Sequence, residues 1–271
     1  MLIVLQQFNC DGNNYFRCEG EFNNMLYSIF LSGLIIGSFL NVVIYRIPED
    51  KSIITPPSHC PNCGTRLKVI DLIPVLSFLS TGGKCRYCNT KISKQYPIVE
   101  LLTGFFFLAA YLKFGFSVQL FIYLLLISAL IAVAFIDYQY MIIPNKITYP
   151  LIVISLLFAI IFDYITIYQS LLGVIIPPLL LLIVAIIFKG GMGMGDVKLA
   201  AALGGFLGWS YTLAGIFIGS LLGSVIGLSL MGLGIIERKS RIPFGPFICT
   251  GALVMIFFGE FLINWYFNLF I

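Results

Sequence analysis

Eight apolar stretches decide what this chain can become: 25–45, 98–114, 118–136, 147–162, 171–188, 197–207, 213–236 and 247–267. About 20 apolar residues cover the hydrocarbon of a bilayer, so most of these runs are candidates to cross it. Lipid offers backbone N–H and C=O groups no water, which leaves helices or closed barrels as spanning structures. Long runs without strict alternation select helices. The sixth run, rich in Gly and Ala, is the shortest and reads as either a crossing or a re-entrant segment covered by protein. Only 10% of the 271 residues are charged and 59% are apolar, which excludes an ordinary soluble enzyme. A formal charge of +4 without a dense basic stripe points to no nucleic-acid partner. The expected fold is an all-α polytopic membrane protein of about eight transmembrane helices.

Lys and Arg set the orientation, because loops that keep positive charge stay on the cytoplasmic side. With eight crossings and the N-terminus outside, fourteen of the sixteen Lys and Arg fall on the cytoplasmic side, and only Arg17 and Lys113 do not. If the sixth run did not cross, the loop carrying Arg238, Lys239 and Arg241 would move outside. The opening MLIVLQQF lacks the basic start of a signal peptide and its apolar run is short. Residues 1–24 therefore read as an exoplasmic tail, where Cys10 and Cys18 are either a small disulfide loop or two free thiols. Residues 25–46 read as the first transmembrane helix, 47–97 as a small cytoplasmic four-Cys zinc domain, and 98–271 as a membrane core of about seven further helices. The Gly215, Gly219, Gly223, Gly227 series, like Gly33 and Gly37, places side-chain-free positions on one helix face and favours close helix packing.

Two clusters carry chemistry. Cys60-Pro-Asn-Cys63 and Cys85-Arg-Tyr-Cys88 are separated by 21 residues, one beyond the usual window for paired zinc knuckles. Four thiolates complete a tetrahedral Zn2+ shell and leave no position for water, so the ion would be structural. Redox pairs are the competing reading, but neither pair sits in a strand-helix unit. The second cluster is acidic. Asp137 ends the third run and Asp196 opens the sixth in Gly193-Met-Gly195-Asp196-Val-Lys198, both on the same side of the membrane. Carboxylates in lipid are expensive and point to function. If they approach, like charges resist double ionisation, one acting as base toward water while the other serves as acid. Asp196 alone also reads as a helix N-cap. Glu100 is a third acid, which reads as meeting a cationic substrate, pairing with a basic residue of the Cys loop, or simply lying at the interface. The chain has one His and lacks a Gly-x-Ser-x-Gly elbow, a His-Glu-x-x-His helix and a Walker loop, which removes the commoner hydrolases. A membrane transporter with ion-binding aspartates and a zinc docking loop is the non-enzymatic alternative.

Taken in order, Gly37-Ser-Phe-Leu-Asn41-Val-Val-Ile-Tyr-Arg46-Ile-Pro48, the four Cys, Gly83-Lys84-Cys85, Tyr96-Pro-Ile-Val-Glu100, the Asp137 segment ending Ile-Pro144-Asn145, Gly193 to Lys198, and Pro243-Phe-Gly-Pro246 resemble the bacterial type IV prepilin peptidases, membrane aspartyl proteases of the GxGD type. The resemblance runs over nearly everything after residue 25. It implies removal of the basic leader of prepilins or pseudopilins at the cytoplasmic face, with Asp137 and Asp196 as the catalytic pair. It also implies methylation of the new N-terminus with S-adenosylmethionine as cosubstrate. Gly37, Asn41, Arg46, Gly83, Lys84, Glu100, Gly193, Gly195 and Lys198 become candidates for substrate or methyl-transfer roles. The long N-terminal tail departs from the family pattern, and no oligomeric state is implied.

Overall fold

The computed structural model describes residues 15–187, 193–235, 237 and 242–270. Cys10 and the side chain of Cys18 lie outside these residues, as do Lys189, Arg238, Lys239 and Arg241. The described residues form helices α1 (Tyr15–Arg46), α2 (Leu76–Ser80), α3 (Gln95–Phe114), α4 (Val118–Tyr140), α5 (Asn145–Phe162), α6 (Ile167–Ile187), α7 (Met194–Leu207), α8 (Trp209–Gly232) and α9 (Gly245–Phe270), with no strand among them. Seven of these contain segments long and apolar enough to cross a bilayer, all but α2 and α7. Large apolar side chains stand exposed along them, Leu31, Phe105, Phe121, Ile160, Phe217 and Phe258 among others. Such a surface suits lipid and would be a liability in water. The first helix begins at Tyr15 rather than near Met25, since no proline interrupts the intervening backbone.

Two compact units divide the chain, Met1–Ala132 and Val133–Ile271. In the first, α1 and α3 pack through small residues. A Cβ on Gly33 would fall 2.7 Å from Gly104 Cα, and one on Gly37 would fall 2.7 Å from Glu100 Cα. Phe30 and Phe105 cross edge to face beside them at 5.4 Å. Helix packing in lipid relies on such close approach, because apolar burial gives no preference over the acyl chains.

In the second unit α7 is the central element. Its residues from Leu199 to Leu207 are all buried, so a helix of 14 residues has no exposed stripe there. Gly204 lies backbone to backbone against Gly173 of α6, and Gly205 lies against Ser155 of α5. The Ser170 hydroxyl donates to the Gly205 carbonyl at 2.8 Å. Gly208, whose φ of +79° suits glycine, turns the chain into α8 next to Ile165 and Gln169. The end of α7 is thus level with the start of α6. Counting ten residues back from Gly204 and forward from Gly173 puts Met194 level with about Ile183, short of the α6 end at Ile187. The sixth apolar run therefore runs antiparallel to α6 and begins recessed within the unit, which is why it is short. The Gly215, Gly219 and Gly223 face packs on Phe247 and Gly251 of α9.

Candidate active site and thiol cluster

Asp137 sits in the last turn of α4, and its Oδ2 accepts the Gly245 N–H at 2.9 Å in a buried hydrogen bond spanning 108 residues. Gly245 opens α9 within the Pro243-Phe-Gly-Pro246 sequence. A Cβ there would fall 2.7 Å from that same oxygen, so only glycine lets the backbone reach the carboxylate. Asp196 is the third residue of α7. Its Oδ2 accepts the Gly193 N–H at 3.2 Å, and Gly193, not Asp196, is the N-cap residue. This is the acceptor half of a capping box, with the acid bonding back to the start of its own helix. Asp137 and Asp196 are 6% and 7% exposed, which places both away from water. The charge of Asp137 acts on Asp196, and both charges act on the buried Cys249 thiol one turn into α9. The two carboxylates are thus within Coulombic reach of one another.

Around them, Gly195 lies against Ile143, where a Cβ would come within 2.9 Å, while a Cβ on Gly193 would meet only Asp196 Oδ2 and the Gly195 nitrogen. Gly195 therefore serves close packing of the α7 start on the segment after α4. Lys198 Nζ donates to Asn145 Oδ1 at 2.9 Å and lies 5.3 Å from the Tyr149 ring, fastening α7 to α5. A cleft of about 220 Å³ opens along Ser220, Ser224, Pro243, Phe244 and Phe247, next to the glycine that bonds Asp137.

In the first unit the four thiols converge. Sγ atoms of Cys60, Cys63, Cys85 and Cys88 all lie within 4.8 Å of one another. Cys60 and Cys88 are 3.8 Å apart, the edge of a tetrahedron with metal–sulfur bonds of about 2.3 Å. The two halves share one backbone register. Cys60 N–H bonds Thr65 O and Leu67 N–H bonds Ser58 O; Cys85 N–H bonds Thr90 O and Ile92 N–H bonds Gly83 O. Positive φ follows each second cysteine, at Gly64 (+69°) and Asn89 (+56°). Hydrogen bonds from the Thr90 hydroxyl and backbone N–H lower the Cys88 thiol to about 6, and Thr65 lowers Cys63 in the same way. Between Ile47 and Lys94 the only buried apolar side chains are Cys60 and Cys85, so the loop has almost no core except its thiols. The donor set and spacing fit a structural metal.

The remaining candidates also fall in the first unit. Gly37 faces Glu100 across α1 and α3. Asn41 Nδ2 donates to Tyr96 O at 3.1 Å and Gly37 O at 3.3 Å. Buried Arg46 donates to Ser52 O at 3.0 Å. Glu100 Oε2 accepts the Val75 N–H at 2.7 Å. Gly83 (φ +70°) lies against Phe78, and the exposed Lys84 pairs as an antiparallel bridge with Lys91. Gly245, Thr65, Thr90 and Val75 are the participants that residue-level reading passes over. The Thr pair had a signal, the repeated Cys-x-x-Cys-x-Thr, and Gly245 had one in the two prolines flanking Phe-Gly.

These features define a multi-pass helical membrane protein with a buried pair of aspartates in one unit and a four-thiol centre in the other. Residues 31–114 match the model of the bacterial peptidase A24 N-terminal domain, and residues 124–228 match that of the type IV leader peptidase family. A prepilin leader peptidase/N-methyltransferase of Bacillus subtilis (strain 168) is 38% identical over 245 residues, 89% of this chain and 98% of its own. Proteins of the same name from Legionella pneumophila and Aeromonas hydrophila are 34% and 33% identical, covering 89% and 88% of this chain and 94% and 92% of theirs. No solved structure matches the chain. The chain belongs to the type IV leader peptidase family, and is a protease of that family. The transporter alternative gives way to that assignment.

Proposed function

We propose that the chain removes the basic leader of type IV prepilins or pseudopilins at the cytoplasmic face of a bacterial membrane and then methylates the new N-terminus. Asp137 and Asp196 are the catalytic pair of this reading. One aspartate, ionised, takes a proton from water as the water oxygen adds to the scissile carbonyl, and the other, protonated as the carboxylic acid, gives its proton to the departing nitrogen. The observation that carries it is the buried Asp137–Gly245 bond beside a second buried acid. The fixed N–H keeps one Asp137 oxygen oriented and leaves the other for water. A prepilin is an apolar helix behind a cationic leader, so it can reach the aspartates laterally from lipid, and the cleft along Phe244 and Phe247 suits a short apolar segment.

The cytoplasmic placement is supported by the Lys and Arg bias, and by the depth that α7 spans beside α6. Cys60, Cys63, Cys85 and Cys88 hold a structural zinc ion that folds the loop. S-adenosylmethionine supplies the methyl group, and Gly37, Asn41, Arg46, Gly83, Lys84 and Glu100 serve substrate binding or methyl transfer in this proposal. The purified protein, incubated with a prepilin and S-adenosylmethionine and read by mass spectrometry, tests both steps. A product starting after the leader glycine and heavier by one methyl is expected. An intact substrate removes the prepilin-cleavage reading, and a cleaved but unmethylated product removes the second step.

A further inference from the structure

Asn41 is 3% exposed, yet its side-chain oxygen has no hydrogen-bond partner. Its orientation is fixed, because the amide nitrogen already donates to two carbonyls, Gly37 O and Tyr96 O, and an oxygen turned toward either would be repelled. An orphaned buried acceptor of this kind is costly and calls for a donor. One turn along α3 from Tyr96 lies Glu100, 6% exposed, whose α-carbon meets Gly37 one turn along α1 from Asn41. Among the described residues no cation pairs with Glu100. Its carboxylate is met only by neutral donors, the Val75 N–H at 2.7 Å and the Ser38 hydroxyl. A buried anion without a counter-charge is costly.

Val75 strengthens the case. It stands at φ +60°, ψ −48°, the centre of a γ-turn of the strained hand closed by Leu76 N–H on Pro74 O. A β-branched residue in this region is a rare outlier. Strain of this sort persists where the surroundings over-determine it, and gathers at ligand sites. Here it presents one N–H to Glu100.

The geometry points to a seat for a primary ammonium group between α1 and α3, with Asn41 Oδ1 and the Glu100 carboxylate as its acceptors. The occupant is the free α-amino end of the processed peptide. Its three N–H donors match a neutral acceptor plus a carboxylate, and its positive charge supplies the missing counter-ion. A methyl donor such as S-adenosylmethionine also carries a primary ammonium. The peptide is favoured because the acceptors lie between two membrane helices, and a processed pilin bears its amino group directly on an apolar helix. The inference rests on the reading of this chain as an enzyme that creates and then methylates a peptide N-terminus.

The test measures binding by the full-length protein in detergent to a synthetic peptide that begins at the new N-terminus, as the free amine and as its N-acetyl form. Wild type is expected to bind the free amine at least tenfold more tightly. Asn41→Leu and Glu100→Gln should each bring that ratio below about threefold while keeping the affinity for the acetylated peptide, which reports an intact fold. S-adenosylmethionine, titrated alone, should change its affinity by less than twofold in either variant. Equal wild-type affinities for the two peptides overturn the proposal, as does a ratio that survives both substitutions. Loss of S-adenosylmethionine binding with an unchanged peptide ratio overturns it too, and assigns the acceptors to the donor's ammonium. Should Asn41→Leu lose both peptides, Glu100→Gln and the wild-type ratio still decide. A wild type that prefers the free amine but never methylates it would remove the methylation reading and leave the seat standing.

Discussion

Gly173 and Gly204 meet backbone to backbone, and a Cβ built on either falls on the carbonyl of the other. This contact holds α7, and with it Asp196, against α6. Gly204→Ala should lower the unfolding midpoint in detergent strongly, since over-packing a tight contact costs about 1 to 3 kcal/mol and often more. Gly232→Ala is the control. It ends α8 with open space where a Cβ would go, and alanine there should stabilise by about 0.5 to 1 kcal/mol. Equal melting of the two variants would contradict the packing described for α7.

Gly245→Ala acts on Asp137 directly. The added carbon would displace the carboxylate oxygen it replaces hydrogen against, and a shift of about 1 Å at a reacting group can cost about a hundredfold in rate. Single-turnover cleavage of a prepilin should fall by that order while metal content stays at the wild-type level. A rate within threefold of wild type would mean that the hydrogen bond does not serve cleavage.

Asp137→Asn and Asp196→Asn should each abolish cleavage, by about a thousandfold or more, and the double variant should be no worse than either. Groups that act on one water lose their joint effect when one is removed. Additive losses in initial rate would show that the two carboxylates act apart.

Removal of the metal should unfold the thiol loop and spare the helices. With almost no apolar core besides Cys60 and Cys85, the loop would depend on the proposed zinc ion, and such binding is worth about 10 to 16 kcal/mol in small zinc domains. Chelation or Cys60→Ser should release one zinc per chain and open trypsin sites among Arg66, Lys84, Arg86 and Lys91. Methylation should suffer more than cleavage; equal losses would count against a division of labour between the units.

Protons would compete with the proposed metal for the thiolates. Cys88, lowered to about 6 by Thr90, stays a thiolate above that pH and loses its charge as pH falls through it. Thr90→Val removes the hydroxyl, so the thiolate requires a higher pH. The midpoint for zinc release on acidification should move upward, by about half a unit to one unit. An unmoved midpoint would show that the hydroxyl does not stabilise the thiolate.

Much of this was legible in the residues. Apolar run length gave the helices, and paired Cys-x-x-Cys sequences gave the thiol centre, because both signals are local. Asp137 and Asp196 stood out because carboxylates are rare at the edge of apolar runs. What the chain order concealed was relational. Nothing in a string reveals that Gly245 bonds an aspartate 108 residues earlier. The sixth run looked too short because its start is recessed beside α6, a fact of packing rather than of hydropathy. Val75 was hidden for a related reason, since its strained backbone is imposed by what holds it and not by its own preference.

The partner of Asp137 arrives late in synthesis. The N–H that orients this carboxylate belongs to the first residue of α9, so a growing chain still attached to its ribosome and made only as far as α8 carries the aspartates but not the group that fixes one of them. On the proposed role of Asp137, proteolytic competence would then begin only when the final helix enters the bilayer, and a prematurely terminated chain would be left as an inert bundle.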